Sequence, residues 1–276
     1  MRNAWFARIS ALPPRKLLKT ANSIMMMNIL DRWKRRDVSP SRLPDDVRVY
    51  AVGDVHGCKK EMVRLLEAVE RHIAGYGGST HLVFLGDMVD RGPDSSGVLE
   101  HVLTADLPAD RVTFIMGNHE EIMLDCYAGK SEQFSTWLRF GGLETMASYG
   151  VSREEIFSKD FDLTHAMRRA VPPEHIAFLQ SFRDTLSLGD YLFVHAGIRP
   201  GTKLEDQSPR DLRWITREFL TDKTEHGFTV VHGHTITSKV TTRSNRIGVD
   251  TGCYKSGILS ALILEGDTTS VLAAGQ

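Results

Sequence analysis

The stretch Val47-Arg48-Val49-Tyr50-Ala51-Val52-Gly53-Asp54-Val55-His56-Gly57 decides the fold. Its first six residues are a strand-like apolar run, which ends in a turn carrying a carboxylate and an imidazole between glycines. The same design recurs along the chain. His81-Leu82-Val83-Phe84-Leu85 leads into Gly86-Asp87-Met88-Val89-Asp90-Arg91-Gly92, and Arg111-Val112-Thr113-Phe114-Ile115-Met116 into Gly117-Asn118-His119-Glu120. Tyr191-Leu192-Phe193 precedes Val194-His195-Ala196-Gly197, and Phe228-Thr229-Val230-Val231 precedes His232-Gly233-His234-Thr235.

Ligands in an open α/β sheet bind at the carboxyl ends of strands, where loops converge. Loops of this kind gather Asp54, His56, Asp87, Asn118, His195 and His234 from distant parts of the sequence. That inventory fits a pair of divalent metals acting on a phosphate ester. Asp54 and His56 alternate across one residue, so both can face one ion, and oxygen with imidazole suits manganese, iron or zinc. Asp87 can bridge two ions, and Asn118, His195 and His234 complete the ligands of the second ion. Such a pair can hold a bridging hydroxide for in-line attack and clamp the phosphate oxygens. His119 is better placed as a general acid, with Asp90 orienting its ring, and Arg91 offers a planar, charged fork for phosphate. His232 is read as structural beside His234. His72, His81, His101, His165, His175 and His226 are read as satisfied structural histidines.

Between the first two motifs, Met62, Leu65, Leu66, Val69 and Ile73 recur at helical spacing, with Gly75 as a stop. Val98, Leu99, Val102 and Leu103 suggest a second helix starting near Pro93-Asp94-Ser95. This alternation argues for βαβ units and an α/β class. From about 121 to 182 the pattern is mainly helical, as an inserted lid would be, with Ser152 and Glu155 as a capping box and Pro172-Pro173-Glu174 as a helix start. Strands return at 190–194, 228–231, 246–249, 258–264 and 269–273. Short loops there predict more antiparallel pairing, hence two sheets packed face to face with helices outside.

The chain has 276 residues, 41% apolar and 25% charged, with a net charge of −1, which gives no support to a nucleic-acid-binding surface. Its first 36 residues hold nine Lys or Arg and one acid, Asp31, so residues 1–46 read as a basic extension and linker before a catalytic domain over 47–276. Cys58, Cys126 and Cys253 are too scattered for a disulfide framework or a zinc motif, which favours a reducing, cytoplasmic setting. No apolar run approaches the roughly 18 residues of a membrane-spanning helix. The oligomeric state is not legible.

Taken together, the motifs between residues 47 and 264 resemble those of the phosphoprotein phosphatase family of metallophosphoesterases, particularly its bacterial serine/threonine phosphatase branch. The resemblance implies a metallophosphoesterase-type central β-sandwich of two mixed sheets flanked by helices. It implies Asp54, His56 and Asp87 at one metal, Asp87, Asn118, His195 and His234 at the other, and usually manganese. It further implies His119 as acid paired with Asp90, Arg91 on the phosphate, and a phosphoprotein or phosphopeptide substrate. One departure stands out. Bacterial relatives usually carry a second phosphate-binding Arg in a Leu-Trp-x-Arg string, whereas this chain reads Leu212-Arg213-Trp214-Ile215-Thr216-Arg217. Arg213 or Arg217 is the expected substitute.

Symmetrical diadenosine-tetraphosphate hydrolases share the metal core and are the nearest rival. They commonly lack an acid at the position of Asp90 and carry Asp where this chain has Glu120, so the residues favour the phosphatase. Cys58 and Arg64 also match the Cys-x5-Arg spacing of cysteine-dependent phosphatases, but Lys59-Lys60-Glu61-Met62-Val63 reads as helix, not as a phosphate-cradling loop. A binding module on a dead scaffold is disfavoured, since all the ligands and the acid are present.

Overall fold

The computed structural model describes residues 41–275; the expected basic extension, and its linker as far as residue 40, lie outside the described residues. The strands are β1 (Val47–Val52), β2 (Ser79–Phe84), β3 (Arg111–Phe114), β4 (Thr185–Leu188), β5 (Tyr191–Val194), β6 (Thr229–His232), β7 (Thr241–Thr242), β8 (Arg246–Gly248), β9 (Leu259–Glu265) and β10 (Thr268–Ala274). They form two five-stranded sheets, ordered β10-β9-β1-β2-β3 and β4-β5-β6-β8-β7. Both are mixed. In the first, β1, β2 and β3 run parallel while β9 and β10 are antiparallel. In the second, β5, β6 and β8 run parallel, with β4 and β7 antiparallel at the edges. The expected α/β sandwich with flanking helices is therefore present.

Side-chain alternation explains the layering. Val49 and Ala51 of β1 point between the sheets, into a core shared with Val83, Leu85 and Ile115 and with Tyr191, Phe193, Val231 and Ile247 of the opposite sheet. Tyr50, between Val49 and Ala51, faces the other way, and its hydroxyl meets His72 Nδ1 at 2.7 Å on the crossover helix α1 (Lys59–Ile73). That helix buries Met62, Leu65, Leu66 and Val69, the stripe read from the sequence. The next crossover helix, α2 (Ser95–Thr104), starts at Asp94, whose carboxylate accepts from the Gly97 amide at 2.9 Å. On the outer face of the second sheet, Leu192, Val194 and Val230 pack on Leu212 and Phe219 from the segments Pro209–Trp214 and Arg217–Thr221, and on Ile215 between them.

The region expected as a helical insertion is helical. It opens with α3 (Asn118–Ala128) and continues through Phe134–Trp137, a π turn at Leu138–Gly142, and Leu143–Ser148, Arg153–Ile156, Leu163–Ala170 and Pro173–Gln180. Ser152 Oγ accepts from the Glu155 amide at 3.1 Å, and the last of these helices begins at Pro173. Two strands escaped the sequence reading. Both β4 and the two-residue β7 lie at sheet edges, half-buried or exposed, where no apolar run marks them.

Parallel strands within each sheet bring the carboxyl ends of β1, β2 and β3, and of β5, β6 and β8, to common edges. The loops after β1 and β2 are laced together, since the Val55 and His56 amides donate to Asp87 O at 3.1 and 2.8 Å and the Gly57 amide donates to Met88 O at 2.9 Å. Gly92 lies hard against this seam, and a Cβ there would overlap the His56 carbonyl oxygen. Gly92→Ala should therefore cost about 1–3 kcal/mol in denaturant unfolding. A variant as stable as the parent would show that the seam can yield.

Candidate functional site

Six loops converge on a cluster of buried polar groups, and its hub is Asp87. Its carboxylate lies 3.5 Å from His56 Nε2, 3.4 Å from His195 Nε2 and 3.9 Å from His119 Nε2, and accepts the His119 amide at 3.1 Å. His195 Nε2 is 2.9 Å from Asn118 Oδ1 and 3.2 Å from His234 Nδ1. Asp54 accepts from the His234 amide at 3.0 Å and approaches His56 Nε2 at 4.0 Å. The structure thus brings together all six residues whose types suggested metal ligation. His56, Asp87, Asp90, Arg91 and His234 all adopt left-handed backbone, with φ between 46° and 71°. Such conformations are costly for residues with a Cβ and concentrate at functional sites.

Cation binding fits this donor set on its own geometry. His56 Nδ1 is 2.9 Å from Val89 O and His195 Nδ1 is 2.8 Å from Leu85 O, so each Nδ1–H donates outward and each Nε2 turns inward. His56 Nε2 is buried without a hydrogen-bond partner, as is Asp250 Oδ2. Asn118 Oδ1, an Asp87 oxygen, His195 Nε2 and His234 Nδ1 face one another with no donor supplied between them except a proton on the imidazole. Oxygen and nitrogen atoms pointed together in this way suit divalent ions such as manganese, iron or zinc.

The electrostatics answer the same crowding. Burial works against ionising Asp87, yet His195 and His119 outweigh it and hold its carboxyl well below the usual range. Burial would likewise depress His195, but the charge and hydrogen bond of Asp87, with Asp54, carry it up to about 10. Burial lowers His56 and His234 to about 3 each. Desolvation and the neighbouring Asp250 push Asp54 well up.

Beside the hub, His119 Nδ1 sits 2.7 Å from Asp90 Oδ2. Burial opposes the imidazolium, but Asp87 and Asp90 together raise it above its ordinary value. Asp90 is itself fixed by residues that sequence reasoning missed. Trp137 Nε1 donates to both of its oxygens at 3.0 and 3.1 Å, and Thr145 Oγ1 donates at 2.6 Å while accepting the Asp90 amide at 2.9 Å. Both come from the helical insertion, whose Gly141 carbonyl also accepts the Arg91 amide at 3.3 Å. The region expected as a lid thus braces the Asp90–His119 pair.

Two further carboxylates were missed as site residues. Glu120 accepts the amides of Gly117, Asp87 and Met88 at 3.0, 2.8 and 2.6 Å, tying the second motif to the third. Burial and the charge of Asp87 push it up to about 7. Asp250, buried next to Asp54 in the loop after β8, is pushed up to about 6 by burial. Arg246-Ile247-Gly248-Val249-Asp250-Thr251-Gly252 repeats the pattern of the other loops and could have announced it.

The expected phosphate-binding arginines divide. Arg91 is half-buried beside the cluster, where its charge depresses His56 and His234, and its Nη1 donates to Tyr254 Oη at 3.3 Å. Arg213 is a correction. Its guanidinium is held by Asp184 at 2.7 Å and Glu121 at 2.5 Å, and Trp214 Nε1 also donates to Glu121. Two carboxylates neutralise it, so it is a structural tie and not a free anion fork. Arg217 is exposed at the first residue of its short helix. His232 turns away to Gly233 O at 3.0 Å and packs edge-on against Phe219. Arg64 lies on α1 and reaches Gly275 O at 3.4 Å, and the residues after Cys58 are helical, so no cysteine-phosphatase loop forms.

With His195 carrying its proton up to about 10, metal loading near pH 8 has to displace that proton. Titration calorimetry in buffers of different ionisation enthalpy should report net proton release on loading, and affinity should rise with pH. Loading without proton release would show that His195 is already neutral before an ion enters.

Comparison with known proteins matches this geometry. The family model described as calcineurin-like phosphoesterase matches residues 47–255. A zinc-dependent endopolyphosphatase of Saccharomyces cerevisiae is 27% identical, over 78% of this chain and 75% of its own. The asymmetrical bis(5'-nucleosyl)-tetraphosphatase PrpE of Anoxybacillus flavithermus is 27% identical, over 80% of this chain and 92% of its own. Serine/threonine-protein phosphatase 1 of Salmonella typhimurium is 39% identical, but over 34% of this chain and 38% of its own. Among solved structures, a candidate diadenosine tetraphosphatase superposes with a TM-score of 0.55 at 22% identity, covering 82% of this chain and 93% of that one. With the family model spanning most of the described chain and the metal-ligand residue types converging at its sheet ends, this protein belongs to the calcineurin-like phosphoesterase family, a family of metal-dependent phosphoester hydrolases.

Proposed function

We propose that the protein is a two-metal hydrolase of phosphoanhydride bonds in nucleoside polyphosphates, with dinucleoside tetraphosphates as the first substrates to test. The convergence of Asp54, His56, Asp87, Asn118, His195 and His234 around one buried point carries the hydrolytic part of this reading. The substrate part is supported by relatives matched over most of both chains, which are named for dinucleoside tetraphosphates or polyphosphate. Loss of Arg213 to Asp184 and Glu121 points the same way. A phosphomonoester approaches two negative charges at neutral pH, its second pKa being about 6, and gains most from a second guanidinium. A phosphorus inside a polyphosphate chain carries one charge and needs that second fork less.

In this reading Asp54, His56 and Asp87 hold one divalent ion, and Asp87, Asn118, His195 and His234 hold the other. Two ions bound there would polarise the phosphoryl oxygens and lower the pKa of the attacking water. Arg91 grips a phosphate oxygen. His119, whose hold on a proton Asp87 and Asp90 strengthen, delivers a proton to the departing oxygen.

One observation favours a second reading, a serine/threonine protein phosphatase. An alkoxide is a poor leaving group and depends on a general acid, and the Asp90–His119 pair is intact and braced by Trp137 and Thr145. Product analysis on diadenosine tetraphosphate and on a phosphothreonine peptide, with manganese or zinc restored to stripped protein, separates the two. Nucleotide products without phosphate release from the peptide are expected. Metal-dependent peptide turnover alone would overturn the nucleotide assignment.

His119→Asn should lower kcat by roughly 10²–10⁴ on a poor leaving group while metal content is unchanged, with a smaller loss on p-nitrophenyl esters. Equal losses on both would assign His119 to positioning.

A further inference from the structure

Two cysteines that lie far apart in the sequence meet beside the metal cluster. Cys58 follows the Asp54–His56 loop and Cys253 follows the Asp250 loop; both are buried, at 5% and 2% exposure. Their Sγ atoms, with a Glu61 oxygen, lie within 4.8 Å of one another. Cys126, the third cysteine, belongs to neither loop and sits in α3. Scattered in sequence, these two cysteines are neighbours in the fold, and both are free thiols.

The setting of Cys253 matters as much as its partner. It opens the one-turn helix Cys253–Ser256, which hangs between Gly252 and Gly257, both in left-handed backbone with φ of 65° and 69°. Glycines in that conformation at both ends let a short turn pivot at little conformational cost. Next to Cys253, Tyr254 accepts a hydrogen bond from Arg91 at 3.3 Å and packs edge-on to His56, with ring centroids 5.2 Å apart. At the other end, the Cys58 thiol donates to the carbonyl of His56 at 3.5 Å. Cys58 thus touches the backbone of a candidate metal ligand, and Cys253 is the chain neighbour of the residue that contacts Arg91 and His56.

We propose that Cys58 and Cys253 form a reversible disulfide that acts as a redox latch on the site. The thiolate of Cys58 attacks a small-molecule disulfide and releases one thiol, leaving a mixed disulfide on Cys58. The sulfur of Cys253 then displaces the second thiol and gives up its own proton. In balance, two protein thiols are oxidised and one external disulfide is reduced to two thiols. An S–S bond of about 2 Å requires the sulfurs to close from their present separation. The glycine-hinged turn supplies that motion, and it draws Tyr254 away from its present contacts with Arg91 and His56. Oxidation thus lowers turnover by moving groups that flank the reacting phosphate, and a reducing thiol restores it.

The activity arm rests on the proposed hydrolase function; the cross-link arm does not. The metal-loaded full chain is incubated with oxidised glutathione, digested without reduction and mapped by mass spectrometry, while hydrolysis of p-nitrophenyl phosphodiester and phosphomonoester is followed in parallel. A Cys58–Cys253 linked peptide is expected, with a roughly tenfold or larger loss of rate that dithiothreitol reverses. Cys253→Ser, and Cys253→Ala should the serine variant fold poorly, is expected to abolish both the link and the loss. Cys126→Ser should retain both. Free Cys58 and Cys253 after oxidation would overturn the disulfide whatever the activity. A linked peptide at full rate would overturn the latch, as would equal sensitivity in the Cys253 variants.

Discussion

Burying the Asp87 carboxylate at the meeting point of two sheets is the constraint to which the rest of the site answers. Asp54, Asp90, Glu120 and Asp250 are buried around it, each at 2% exposure or less. An uncompensated charge in such a place is severely unfavourable. The protein meets the demand locally. Imidazoles face Asp87, backbone amides face Glu120, and an indole and a hydroxyl face Asp90. Between Asp54, Asp87, Asn118 and the histidine nitrogens, a divalent cation would supply the positive charge that side chains do not.

The division of labour between the sheets and the helical insertion follows from this. Strand ends give rigid anchors for ligands, since each loop leaves a hydrogen-bonded ladder. The acid lies at the edge of that framework and takes its rigidity from elsewhere. Trp137 and Thr145 hold Asp90 from a segment whose own packing is irregular, with a π turn between them. Through Trp137 and Thr145 the packing of the insertion is coupled to the geometry of the Asp90–His119 pair.

Much of this was legible in the sequence because strand-end loops are written locally. A carboxylate or imidazole beside a glycine after an apolar run carries its meaning within about six residues. The crossover helices, the sandwich and the residues gathered around Asp87 were read that way. Groups that act across the chain were not. Nothing near Trp137 or Thr145 says that Asp90 lies against them. The expectation for Arg213 failed for the same reason, because its competitors Asp184 and Glu121 are remote in sequence. Cys58 and Cys253, scattered in sequence, are brought together only where the first and last loops meet. Asp250 differs, since its loop repeats the common pattern and was passed over.

The left-handed backbone at His56, Asp87, Asp90, Arg91 and His234 has a consequence for how such a site can change over time. At these positions a residue is selected twice, for its side-chain chemistry and for its tolerance of a positive φ. Asparagine and aspartate bear that geometry better than most, and glycine bears it freely. Drift is therefore channelled: exchanges among Asp, Asn and Gly keep the loops in shape while removing or weakening a ligand. β-Branched replacements would strain the loop at these positions. The backbone thus makes loss of a candidate metal ligand an easier evolutionary step than replacement by a residue of unrelated chemistry at these positions.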